Sequence, residues 1–355
     1  MKKIINILKK KKSIPIDQFI NFSLYDKKYG YYMKKNPLGK DGDYITSPLV
    51  TNLFGEMLAI WCVSFWENLG KPKNILLVEL GPGDATLCHD LLKTFKNFKN
   101  FYNCLEIKLL EKSNTLKKIQ KNKIKNKKVK WIKKIDNLKT GPIIFITNEF
   151  FNALPIKQFY KDKKILFERH VAFSKKKNNF FFTKRKAKNN LLKSINEFNL
   201  FSNTGMIEYP SKAIEYVKII GQKIKKFNGG LLIIDYGYDL KNNKDTLQSV
   251  MNHKYIDIFK KPGFADITHH VNYRLIKKIL KKNNLLSEKI TTQNEFLQKL
   301  GIIERANIIS KKISFKEKIN MFYNLKKLLH HAEMGKLFKV LFAHKKETKF
   351  SLGFK

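Results

Sequence analysis

Only three of the 355 residues are cysteine, and Cys62, Cys88 and Cys104 stand in no Cys-x-x-Cys or Cys/His spacing. That excludes a disulfide-stapled scaffold and a zinc site of the usual spacing, and it implies reduced thiols in a cytoplasmic setting. Long apolar runs are missing too. No stretch reaches the roughly 18–20 consecutive residues of a membrane helix, and the opening MKKIINILKKKK falls short of the about 7–15 apolar residues of a signal-peptide core. Acids are scarce, 29 against 72 basic residues, for a formal charge of +43. Arginine is scarcer still, with four among those 72. Arginine makes the bidentate contacts of base and phosphate recognition, so lysines spread along the whole chain read first as solvated surface written by compositional bias. They leave weak, salt-sensitive contact with polyanions or an acidic partner as a consequence.

What is present is core. Hydrophobic residues make up 43% of the chain and 28 are Phe, enough for one large α/β domain with an insertion or two modest domains, and too much for a disordered chain. Residues 1–71 read as a helical, lid-like N-terminal region, with helical spacing in IPIDQFINFSLYD and from about Leu49 to Leu69. Short apolar strands then alternate with helical patterns: NILLVEL, LEIKLLE, VKWI, PIIFIT and LLIIDYG. That alternation predicts a Rossmann-like, mainly parallel sheet with helices on both faces, built from 72–156 and 205–355. Within it, 157–204 breaks the pattern. KQFYKDKKILFERHVAF and NNFFFTKRK look like hairpin strands, so this span reads as an inserted β-rich substrate subdomain.

Chemistry concentrates in VELGPGDATL. Ligands of an open parallel sheet bind beyond the carboxyl ends of its strands, which is where Gly81 and Gly83 fall. The stretch fails the Gly-x-Gly-x-x-Gly dinucleotide spacing, because the sixth position is Thr86, and it lacks the Gly-Lys-Ser/Thr ending of a phosphate loop. What remains is acidic-x-Gly-x-Gly, with Glu79, Gly81, Pro82 and Gly83, the pattern of class I S-adenosylmethionine methyltransferases; an ordinary strand-to-helix turn is the other reading. Glu111 ends the next strand, where a carboxylate accepts hydrogen bonds from ribose hydroxyls. Asp43 and Thr46, ahead of the first sheet strand, read as a cofactor-covering lid or as a turn that caps a helix. Asn148 and Glu149 end another strand beside the expected transfer position. A guanidinium is protonated at neutral pH, so a carboxylate such as Glu149 must orient it and take up charge or a proton. Asp235 ends a further strand and lines the same cleft or closes a turn. His270 contacts substrate or accepts a proton, or is structural, and the adjacent His269 reads as surface. No metal-ligand cluster is evident.

The segments YGYYMKKNPLGKDGDYITSPLVTNLFGE, LLVELGPGDATLCHDLL, TNEFFNALPIKQF, LLIIDYG and DTLQSVMNHKYIDIFKKPGFADITHHVNY together resemble the MidA family of S-adenosylmethionine-dependent methyltransferases. GDYITSP, NEFFNALP and PGFADITHHVNY are specific to that family, whereas the glycine loop is shared with many others. The resemblance implies a class I methyltransferase fold, S-adenosyl-L-methionine as cofactor, and symmetric dimethylation of an arginine in a subunit of the respiratory NADH dehydrogenase, complex I. It also matches Asp266 and His270 to a recurring Asp and His. The chain departs from the family at Asn152, where Asp is usual, and at Asp84 and Ala85, where Arg-Gly is more common. The first change removes a charge near the expected acceptor, and the second alters the field and width of the loop. Two alternatives stand beside protein methylation. The charge favours an RNA methyltransferase, against which no RNA-binding module or Asn-Pro-Pro-Tyr motif is found. Asn152 favours a cofactor-binding assembly chaperone without catalysis. The few residues ahead of the first family-like helix imply a cytoplasmic, unimported protein.

Overall fold

The computed structural model describes residues 2–34, 36–39, 42–163, 165–200, 205–240 and 243–355. Its centre is a nine-stranded sheet whose main path runs Leu285–Ser287, Phe338–Lys345, Gly229–Tyr238, Ile143–Asn148, Ile75–Leu80, Leu105–Leu110, Val129–Ile132. From Gly229–Tyr238 to Val129–Ile132 every neighbour is parallel, and Phe338–Lys345 closes that side antiparallel. Chain order leaves Ile75–Leu80 in one direction through the next two strands and in the other through Ile143–Asn148. The carboxyl ends of Ile75–Leu80 and Ile143–Asn148 therefore flank a topological switch point, where such sheets open a crevice.

The strands read as unbroken apolar runs because both faces are buried. Ile75 and Leu77 enter one core with Trp61, Phe65, Leu91 and Phe342; Leu76, Val78 and Leu80 point to the other with Phe145, Val217, Tyr273 and Ile276. The same alternation holds for Ile144 and Ile146 against Ile143 and Phe145, as the period of two in a strand requires. The helix expected from about Leu49 is Asn52–Asn68, held at its start by the Thr51 side chain accepting from the Leu53 N–H.

A second sheet of five strands uses the expected hairpins, Lys157–Asp162, Ile165–Ser174 and Asn179–Lys186, and extends past residue 204 to Met206–Tyr209. Its far edge is Ser13–Pro15, from the other end of the sequence, paired antiparallel with Ala172–His170. A three-stranded sheet, Gln248–Met251, Lys254–Ile256 and Asp266–Thr268, packs nearby. Residues from all three regions build a third core, with Ile14, Phe19, Leu24, Val171, Phe180 and Ile267. The N-terminal segment is thus fixed from two sides and arches over the carboxyl edge of the main sheet.

Candidate functional site

A cleft of about 740 Å³ opens at the switch point, within the range of small-molecule sites. Its floor is the turn after Ile75–Leu80. Gly81 and Gly83 have φ of +67° and +56°, and a Cβ at Gly81 would stand 2.8 Å from the Phe150 ring, one at Gly83 2.6 Å from Leu38. Both positions therefore require glycine for conformation and for space. The Ala85 N–H closes the turn on the Pro82 carbonyl at 2.7 Å. Ala85 itself sits at φ +64°, a left-handed position in which a Cβ is disfavoured, which explains why glycine is the more usual residue there. Asp84 does not leave an unbalanced charge: it accepts from the Thr86 N–H and hydroxyl at 3.0 Å each and from the Lys123 ammonium at 2.5 Å. The expected change of field is largely cancelled by that lysine.

Glu79 is buried on the cleft wall with one oxygen, Oε2, meeting no hydrogen-bond partner among the described residues. Burial, and secondarily Asp84, raise its pKa to about 8. An enclosed carboxyl oxygen without a partner is costly unless a ligand supplies the donor or cation. Glu111 ends Leu105–Leu110, and each oxygen accepts one N–H, from Ser113 at 2.7 Å and from the Gln120 amide at 3.0 Å. Burial raises its pKa as well. Lone pairs remain on both oxygens for a diol. Gln120 escaped the sequence reading. It is fully buried, donates also to the Gly83 carbonyl at 2.7 Å, and accepts from the Trp131 indole at 2.8 Å, so one side chain joins the glycine turn, Glu111 and the neighbouring strand. A lone glutamine in a lysine-rich helix carries no spacing signal that could have marked it.

The opposite wall begins at Ile143–Asn148. Glu149 follows at φ +52°, an uncommon backbone for a residue with a side chain and a frequent companion of functional sites. Its pKa is pushed up to about 8 by burial and by Asp235, and moderated by the Ser47 N–H and the Asn148 amide. Asn148 and Glu149 both line the cleft, and Asn148 Oδ1 is buried without a partner among the described residues. Thr46 lines it too, from the arching segment, with Tyr25, Tyr32 and Tyr44. Those tyrosines share the cleft lining with Glu149, and the Tyr25 hydroxyl donates to the Ala153 carbonyl at 2.9 Å. Tyr32 donates to Asp266 at 2.7 Å, a carboxyl whose pKa burial raises to about 7. Asp136, after Val129–Ile132, and Tyr216 also line the cleft and were not foreseen.

Three of the expected residues lie elsewhere. Asp43 is buried outside the cleft lining, accepting from the Tyr31 hydroxyl at 2.7 Å and the Asn252 N–H at 2.9 Å; it anchors the arch. Asp235 is fully buried behind Glu149. It accepts from the N–H groups of Phe151 at 3.1 Å, Asn152 at 3.2 Å and Tyr236 at 2.9 Å, and from the Asn152 amide at 2.7 Å. Burial still raises it to about 7. His270 is half-buried and packs edge-on against Tyr236 with ring centres 5.5 Å apart, outside the cleft lining. The surface reading of His269 is overturned. It is buried, with Nδ1 and Nε2 each 3.1 Å from a carbonyl, of His270 and Leu154, and burial lowers its pKa to about 4. Asn152 also differs from expectation: it is buried as the donor to Asp235 and removes no charge from the cleft wall.

The donor set fits S-adenosylmethionine. The unpartnered Glu79 suits a cationic group, Glu111 suits a ribose diol, and Leu110, Leu116 and Ile135 supply an apolar wall. A parallel sheet with a glycine turn at its switch point and an acid ending the next strand is the architecture of a class I methyltransferase. The sequence matches, over residues 57–291, the family described as "Putative S-adenosyl-L-methionine-dependent methyltransferase", and the chain belongs to that family. It is an enzyme of that class, and its cofactor is S-adenosyl-L-methionine. A protein arginine methyltransferase of Xenopus tropicalis, mitochondrial NDUFAF7, is 30% identical over 365 residues, covering 92% of this chain and 81% of the relative. The Caenorhabditis elegans homologue of NDUFAF7 is 33% identical over 300 residues, 78% of this chain and 70% of its own. A Burkholderia thailandensis crystal structure bound to S-adenosyl-homocysteine superposes with a TM-score of 0.83 at 21% identity, covering 99% of this chain and 92% of that one. The cytoplasmic expectation finds no support in the first two, both named as mitochondrial. Among the described residues no group of three or more His, Cys, Asp or Glu could hold a metal ion, and no helix is long and apolar enough to cross a membrane.

Proposed function

We propose that this enzyme methylates arginine side chains of a protein, by symmetric dimethylation, and that its target is a subunit of the respiratory NADH dehydrogenase. The observation that carries the reading is Glu149, a half-buried carboxyl group of raised proton affinity on the wall of a cleft also lined by tyrosines. A guanidinium entering that wall draws Glu149 to its ionised form, which orients it by paired hydrogen bonds and, with the high proton affinity that burial confers, takes up the proton released on transfer. Asn148 directs its amide toward the same carboxylate at 3.4 Å. Tyr25, Tyr32 and Tyr44 close the acceptor side against water, and Asp235 fixes the 151–152 turn behind it rather than touching substrate.

On the other wall, Glu79, Gly81, Pro82, Gly83 and Glu111 hold the cofactor, with Thr46 covering it. When bound, S-adenosylmethionine supplies an electrophilic methyl group on a sulfonium centre. The residues of this chain need only align acceptor and donor, because placement is most of what such a displacement asks of a protein. The relatives' names support the arginine assignment; the respiratory target rests on the MidA resemblance.

The test is incubation with methyl-labelled cofactor and cell extract, followed by protease or ribonuclease. Label released by protease and recovered as dimethylarginine is expected, and Glu149→Ala should retain cofactor affinity while label disappears. Label removed by ribonuclease instead would establish RNA as substrate, and cofactor binding without any label would support the chaperone reading.

A further inference from the structure

The C-terminal helix Phe315–Leu329 has two apolar faces, only one of which is used. Met321, Leu325 and Leu328 pack into the main core. Phe315, Ile319 and Tyr323, at i, i+4 and i+8, fall within about 80° of arc on another side and are 78%, 53% and 59% exposed. All of residues 315–320 are exposed, so the first turns of this helix project from the body, and Ile308 on the preceding helix Ile302–Ser310 is 54% exposed as well. A run of exposed large apolar side chains of this kind is unusual on a protein surface.

Its flanks are cationic. Lys311, Lys312, Lys316, Lys318, Lys326 and Lys327 surround the ridge, and Lys327 lies over the Tyr323 ring at 4.7 Å. The lone acid of the helix, Glu317, is occupied at its start, accepting from the Ser314 N–H at 2.9 Å and hydroxyl at 2.6 Å. We infer that this ridge is a docking surface for an anionic lipid membrane, with Phe315, Ile319 and Tyr323 entering the headgroup boundary and the lysines meeting lipid phosphates and carboxylates. The chemistry is that of interfacial helices, an apolar stripe bordered by long cationic side chains that reach past it. The stripe is apolar with exposed lysines on both sides, which matches the apolar interior and anionic headgroups of a lipid surface. A second copy of this chain is disfavoured by the +43 charge each would carry.

Charge alone would draw this protein to anionic vesicles, so the decisive variant keeps the charge. The full chain is mixed, at physiological ionic strength, with vesicles of phosphatidylcholine alone or with phosphatidylserine, and binding is read by flotation. Wild type should float with the anionic vesicles only, and the triple variant Phe315→Ser, Ile319→Ser, Tyr323→Ser should bind about tenfold or more weakly. Its unchanged affinity for S-adenosyl-homocysteine reports that it has folded. In a second arm, Phe315→Trp should show fluorescence quenching by bromine-labelled lipid. Equal binding by the triple variant, absence of quenching, or failure of wild type to float would overturn the inference. So would selective binding of an acidic amphipathic peptide in place of vesicles.

Discussion

Glu79 and Glu149, near pKa 8, and Asp235 and Asp266, near 7, are carboxyl groups that burial keeps protonated well above their ordinary range. An unfolded chain would release those protons near pH 4, so between there and pH 8 the folded state binds more protons, and the cofactor-free protein loses stability as pH rises. His269 has the opposite sign. Burial lowers it to about 4, so its contribution is lost as pH falls below its ordinary 6.5. Above pH 6.5 the acids act without that opposition, and the Tm of cofactor-free protein is expected to fall steadily from pH 6.5 to 8.5. Glu79→Gln should flatten that slope, as thermal scans across the series would report; a rising Tm would contradict the burial argument. Glu79, Gly81, Gly83, Glu111 and Glu149 were all legible as residues because each ends a strand or forms the turn after it. Asp43, Asp235 and His270 carry the same residue chemistry, but only the three-dimensional path shows them turned away from the cleft. Asn152 shows why a lost charge in the sequence is not a lost charge at the site: its amide gives Asp235 a donor that an aspartate could offer only by keeping a proton.

Among the elements, the parallel strands and their helices followed from apolar runs and turn residues, since a strand buried on both faces announces itself by composition. The partner of Ser13–Pro15 did not, because three residues give no periodicity and its register is set by Ile165–Ser174, more than 150 residues further on. The helix Asn114–Lys123 shows how one side chain makes an element part of a site. Gln120 couples it to the glycine turn, to Glu111 and to Trp131. Gln120→Met keeps size and removes every one of those bonds, leaving buried groups unpaired at roughly 1–3 kcal/mol apiece. A Tm lowered by several degrees and cofactor affinity reduced about tenfold or more are expected from calorimetry. Unchanged affinity would mean that the turn holds its shape without the helix.

For the whole molecule, the cleft depends on how the N-terminal segment is moored. Lys157 bridges Asp17 at 3.0 Å and Glu168 at 2.8 Å, and those two carboxylates raise its pKa over the opposing effect of burial. Beside it the Ser13 hydroxyl meets His170 at 3.2 Å. Lys157→Met leaves two acids facing each other with no cation between them, a change expected to cost about 3–5 kcal/mol. Limited proteolysis should then cut within residues 13–34 much faster than in wild type, with methyl transfer falling in parallel because Tyr25 and Tyr32, which line the acceptor side of the cleft, come from that segment. Resistance equal to wild type would show that the apolar packing of Phe19, Ile20 and Leu24 suffices by itself.

That mooring also has a consequence in time. Ser13 leaves the ribosome well before His170, its partner 157 positions later, which at about 5–20 residues per second is a wait of roughly 8–30 s. Until the insertion sheet emerges, the amphipathic helix Ile16–Tyr25 has no surface on which to settle, so the first-made part of this region is among the last to be placed. A nascent chain arrested short of residue 174 should carry that segment loose and within reach of chaperones, and the roof of the catalytic chamber closes only after the walls behind it have been built.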